Sequence, residues 1–146
     1  MDLLGDIPEL SISNEEWRIY SRHDAHAPQY VGRDAVIDNS SITEGCQIYG
    51  TVRNSVLGAG VCVMNGAVVE DAVIMENVVI GEGTEVKYSI IDENVKIGKN
   101  CRIGKDRSEA KGITVIAAGI SVADGINIED DKMISSDKDI AAKEEA

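Results

Sequence analysis

Six basic side chains fall within sixteen residues: Lys96, Lys99, Arg102, Lys105, Arg107 and Lys111. They are six of the fourteen Lys and Arg residues in a chain whose formal net charge is −12. A local concentration of cations in an acidic protein suits the capture of a phosphorylated small molecule. Arg would grip a phosphate bidentately and Lys would act as a point charge. The plainer reading is a solvated surface that balances neighbouring acids. Arg18, Arg22, His23, His26 and Arg33 form a second basic stretch. His23 and His26 lie three apart with no evident third ligand, so the stretch reads as a surface linker rather than a metal site. Either His could exchange protons near neutral pH, but only inside a pocket that the sequence does not reveal. Cys46, Cys62 and Cys101 are odd in number and lack C-x-x-C spacing; all three read as buried free thiols packing as small hydrophobes. No catalytic residue and no metal site stand out.

The elements that must carry these residues are set by a repeat. Gln47 to Val61, Cys62 to Val78 and Val79 to Val95 align, and a fourth unit opens at Lys96. Ser55, Ala72 and Ser89 correspond, as do Leu57, Ile74 and Ile91, and Val61, Val78 and Val95. Aliphatic residues recur at steps near six through Val63, Val69, Ile74, Ile80, Val86, Ile91, Ile97 and Ile103, and with Ile48 they make the expected structural core. That period fits neither an α-helix nor long alternating strands. Six residues accommodate a short strand and a tight turn, and three such sides close a triangular coil, the parallel β-helix solution to short repeats. Ala67, Thr84 and Cys101 supply smaller inward residues at the corners, and Gly81, Gly83, Gly98 and Gly104 fall at turns. Asp92, Glu93 and Asn94 read as a turn cap. Tyr49 and Tyr88 flank turns as surface or interface residues. With no Phe and one Trp, the volume must come from Val, Ile and Leu, which suits thin stacked aliphatic layers.

The expected fold class is all-β, with three parts. Residues 1–34 form a linker and capping segment, in which Leu3, Leu4, Ile7, Leu10, Trp17, Ile19 and Tyr20 cover the first coil. Residues 35–128 form the β-helix, with a polar loop insertion at 104–112 and hexads resuming at Ile116, Val122 and Ile128. Residues 129–146 form an acidic tail that includes a short helix. On this prism Lys96 and Arg102 occupy outward positions, with Lys105, Arg107 and Lys111 on the loop beside them. The acidic net charge argues against nucleic acid and anionic membrane as partners. No apolar run approaches 18 residues, and the N-terminus carries acids where a secretory signal carries bases, so a cytoplasmic protein is expected. Flat aliphatic sides and open ends favour a homo-oligomer.

The opening MDLLGDIPEL, WRIYS at Trp17–Ser21 and APQYVG at Ala27–Gly32 resemble the segment following the catalytic domain of bacterial glucose-1-phosphate adenylyltransferases. The likeness continues through NSSITEGC at Asn39–Cys46, GTVRNSVL at Gly50–Leu57, DAVIM at Asp71–Met75, SIIDENVKIG at Ser89–Gly98 and GITVIAAGISVADG at Gly112–Gly125. The resemblance spans about residues 1–128. It implies the left-handed form of the helix, an exception to the right-handed crossover rule. It also implies a C-terminal regulatory and oligomerisation domain. The parent nucleotidyltransferase makes ADP-glucose and diphosphate from ATP and glucose 1-phosphate, with Mg, in glycogen biosynthesis. Its catalytic domain is absent from this sequence, so Met1 is expected to be an internal methionine of a longer enzyme. Its partners would be that missing domain or a sister subunit, with a phosphorylated metabolite as effector; the chain alone would bind no cofactor. One departure bears on regulation. Where relatives carry a lysine in an I-x-K segment, this chain has Ile116-Ala117-Ala118-Gly119, which implies weak or different effector control. The competing reading, a hexapeptide-repeat acyltransferase, needs a positioned base, and residues 35–128 contain no His. A zinc-dependent β-helix enzyme fails for want of the same residue.

Overall fold

A computed structural model describes residue 4 and residues 25–141, and these build a three-sided parallel β-helix of the left-handed hexapeptide type. Strands are short because each hexad must also turn a corner. One side stacks β1 (Tyr30–Val31), β4 (Gln47–Ile48), β7 (Cys62–Val63), β10 (Val79–Ile80), β13 (Lys96–Ile97) and β16 (Ser121–Val122). The second stacks β2 (Val36–Asp38), β5 (Thr51–Arg53), β8 (Val68–Glu70), β11 (Glu85–Lys87), β14 (Arg102–Ile103) and β17 (Asn127–Ile128). The third stacks β3 (Ser41–Ile42), β6 (Val56–Leu57), β9 (Val73–Ile74), β12 (Ser89–Ile91), β15 (Thr114–Ile116) and β18 (Met133–Ile134).

Every strand pairs in parallel with its equivalent one coil away, so like residues lie above like. Ile48, Val63, Ile80 and Ile97 form one inner column, with Val69, Val86 and Ile103 on the second side and Leu57, Ile74 and Ile91 on the third. All of these are at most 3% exposed. A buried side chain of this kind contributes about 1.5–3 kcal/mol relative to exposure. Smaller inward residues fill the corners, and the polar ones are satisfied. Ser55 Oγ donates to Arg53 O (2.6 Å) and accepts from Ala72 N (3.1 Å); Thr84 Oγ1 donates to Gly98 O (2.7 Å) and accepts from Cys101 N (3.1 Å).

The corners need left-handed backbone, and Asn and Asp supply much of it. Asn39, Asn54, Asp71, Asn77, Asn94, Asn100 and Asp131 all have positive φ. Their short polar side chains tolerate that region and bond along the stack, as in Asn39 to Asn54 (3.1 Å) and Asn54 to Asp71. Gly83 (φ 67°) lies one coil from Asn100 (φ 53°) at the same corner, where a Cβ would meet the Asn100 amide oxygen at 2.6 Å. Gly81 and Gly98 matter differently, since a Cβ on either would press on the next coil.

The prism is longer than residues 35–128. Tyr30 and Val31 already pair with Gln47 and Ile48, and Met133–Ile134 adds a final strand beside Val115–Ile116. The first was hidden because APQYVG lacks the hexad signature, the second because Ile134 lies inside an acidic stretch. The tail then turns into α1 (Asp137–Ala141), which packs on β16 and β18. Asp139 caps it, accepting from the backbone N–H of Ser135 and Ser136 (both 2.9 Å). Apart from Leu4, the residues expected to cap the first coil lie outside the described region, as does His23. No helix among the described residues is long and apolar enough to cross a membrane.

Candidate anion-binding site

The helix divides the basic cluster between faces. Lys96 projects from the first side, between Val79 and Ser121 in the ladder, and Arg102 from the second, between Glu85 and Asn127. Lys99, at the corner between them, is paired with Glu82 (2.8 Å), and that hydrogen bond raises its pKa. The insertion 104–112 leaves the prism between β14 and β15, and its three bases diverge. Lys105 reaches Asp130 (2.8 Å). Arg107 lies over the Tyr88 ring, 5.9 Å from its centroid. Lys111 contributes its backbone N–H to the second oxygen of Asp130 (2.7 Å) while its side chain faces solvent. Six cations adjacent in sequence therefore do not converge on one ligand, because successive hexads point to different sides of a triangle.

A narrower cleft remains. Lys87, Arg102 and Lys105 line about 260 Å³ together with Glu85, Asp106, Glu109, Glu129 and Asn127. Lys87, which sequence reasoning passed over, is held by Asp106 (2.9 Å) and Glu85 (3.8 Å), with the Asp106 hydrogen bond raising its pKa. Its signal lay in the register, since Lys87 falls one side-step from Arg102 only once the coil is closed. Asp130 is buried, and the hydrogen bond from Lys105, reinforced by the Lys111 N–H, holds its pKa at about 2. Arg102 is the one cation lining the cleft without an ion-pair partner among the described residues. Its guanidinium could take an anion bidentately, but four carboxylates against three cations set a threshold for any anion entering.

The thiols do not all match expectation. Cys46 and Cys101 are buried, but Cys62 is only half-buried, because it sits at the outward position of β7 where Gln47 and Val79 sit in the neighbouring coils. Burial raises the pKa of both Cys46 and Cys62. His26 lies half-buried against the Gly45 corner. No group of three His, Cys, Asp or Glu side chains suited to a metal occurs among the described residues.

Known proteins share much of this sequence. The chain is 51% identical over 118 residues to a glucose-1-phosphate adenylyltransferase of Clostridium perfringens (strain SM101 / Type A), covering 81% of this chain and 29% of that protein. Enzymes of the same name from Acetivibrio thermocellus (39% over 104 residues; 71% of this chain, 24% of theirs) and Bacillus thuringiensis strain Al Hakam (45% over 75 residues; 51% and 20%) are also similar. The chain thus spans less than a third of the length of these curated relatives. Residues 26–123, nearly the whole run of coils, match the family model described as GlmU-like, C-terminal hexapeptide, and with the stacked inner columns in place the chain belongs to that family.

Proposed function

We propose that this chain is the regulatory and assembly domain of a glucose-1-phosphate adenylyltransferase. In this reading the adenylyl transfer from ATP to glucose 1-phosphate, serving glycogen synthesis in the cytoplasm, is carried out by the portion of the relatives' length that the chain does not span. The observation that carries the reading is the 51% identity sustained over 118 residues. ATP and Mg belong with that other portion. This chain's contribution is a rigid prism whose cleft around Arg102 receives a phosphorylated effector, with Lys87 and Lys105 released from their acids as the anion enters. The lysine missing at Ile116-Ala117-Ala118-Gly119 makes that control weaker than in relatives that have it.

A chimaera tests this. The segment of the Clostridium perfringens enzyme that matches this chain is replaced by the chain itself. An assembled enzyme that still forms ADP-glucose is the expected result. Within it, Arg102→Glu should raise the half-activating concentration of a sugar bisphosphate probe about tenfold, as loss of a charge-assisted hydrogen bond implies. A folded chimaera that neither assembles nor turns over would overturn the reading, and acetyl-CoA turnover by the chain would favour the acyltransferase alternative instead.

A further inference from the structure

The insertion 104–112 leaves the prism at Gly104, whose φ of 72° and missing Cβ let the chain pass close over Lys87. A Cβ there would meet the Lys87 carbonyl oxygen at 2.1 Å. Two residues on, Asp106 heads a turn that closes on its own carbonyl, which accepts from the N–H groups of Glu109 (2.8 Å) and Ala110 (2.9 Å). The turn is complete without the Asp106 side chain, which reaches back to Lys87 at 2.9 Å. Lys87 is 23% exposed behind a carboxylate that is 53% exposed. The cation is recessed in the cleft, and the insertion supplies its cover.

The three cations that line this cleft are held differently. Arg102 has no ion-pair partner among the described residues. Lys105 is paired with Asp130, a buried residue of the prism that also keeps the Lys111 N–H as a donor. Lys87 is held by the insertion, with Glu85 standing farther off at 3.8 Å. At 2.9 Å the Asp106 oxygen takes the place on the ammonium that a phosphate oxygen would take. Both cannot hold it at once.

We infer that the insertion is an autoinhibitory strap, in which the Asp106 carboxylate stands in for a phosphate group of the ligand. It must leave Lys87 before an anion gripped by Arg102 can take Lys87 as well. The backbone bonds of the turn and the tether at Asp130 keep the rest of the insertion in place while the Asp106 side chain swings out. The strap therefore sets how much anion is needed to fill the cleft. This inference rests on the effector cleft proposed above and adds its regulation.

Isothermal titration calorimetry of the 146-residue chain with inorganic diphosphate tests it. Asp106→Asn keeps the size of the side chain and the backbone bonds of the turn. It should tighten binding about fivefold, the upper end for a partly exposed ion pair. In a Lys87→Gln background the same substitution should change the affinity less than about twofold, because no cation is left to free. Glu129→Gln removes a cleft carboxylate that forms no ion pair among the described residues, and should also tighten binding less than about twofold at about 0.1 M salt. A gain from Asp106→Asn that persists with Lys87→Gln, or that Glu129→Gln matches, would replace the strap by a general effect of charge. Unchanged or weaker binding by Asp106→Asn, with Arg102→Glu still weakening it, would overturn the strap and leave the effector cleft standing. Diphosphate binding that is indifferent to Arg102→Glu, or absent from both the parent chain and Asp106→Asn, would remove cleft and strap together.

Discussion

At the scale of single residues, each hexad position has a fixed direction, and chemistry follows direction more than residue type. Cys62 and Cys101 are the same residue in successive parts of the repeat. Cys101 points inward, its backbone N–H taken by Thr84 and its thiol reaching Ala123 O (3.1 Å), whereas Cys62 points outward. Alkylation should therefore find Cys62 alone in the folded protein. Burial raises its pKa, so the thiolate is scarce at neutral pH and the rate should climb steeply toward and above pH 9. Mass spectrometry after iodoacetamide treatment should show one adduct in the native state and three after denaturation; native labelling of Cys46 or Cys101 would contradict the stacking. The inner columns were legible in the sequence because branched aliphatics recur near every sixth residue. The direction of Cys62 was not, since reading it requires the register that places it between Gln47 and Val79. Of the Asn and Asp corners, the turn at Asp92–Asn94 was legible, whereas Asn77 read equally well as an ordinary polar residue.

At the scale of elements, the insertion 104–112 lengthens one coil of the prism, and its own charges tie it back. Lys105 and the Lys111 N–H share the two oxygens of Asp130, while Asp106 holds Lys87 on β11. The loop is thus anchored to the coil below it and to the coil above. The sequence displayed this loop as a cluster of cations, but the acids that neutralise them come from other coils, so the pairing appears only once the chain has closed on itself. Asp130 gives the anchor a defined pH response. Its folded pKa of about 2 lies below the ordinary value near 3.9, so its stabilising contribution is complete above about pH 4. It is lost as pH falls toward 2. Chemical denaturation across that window should show a shallower loss of stability for Asp130→Asn than for the parent chain, and a lower stability for the variant at pH 7. Equal slopes would mean that the carboxylate does not hold the loop.

At the scale of the whole molecule, a stacked prism is close to one-dimensional, and each coil draws its stability from its two neighbours. Interior coils have both. The coil of β1, β2 and β3 shows Val31, Val36 and Ile37 more than a third exposed, although Ile37 occupies the column of Val52, which is fully buried. The opposite end is finished by α1, whose Ile140 is 7% exposed and joins the core. This asymmetry predicts the order of local opening. Amide hydrogen exchange should be slowest through β7 to β12, where every strand is paired on both edges and the inner residues are closed off. It should be faster in β1 to β3 and intermediate in β16 to β18, with protection graded along the axis and similar on the three sides at a given height. Uniform protection would show that the prism opens only as a single cooperative unit. Fastest exchange in the central coils would mean that the aliphatic columns are not the source of its stability.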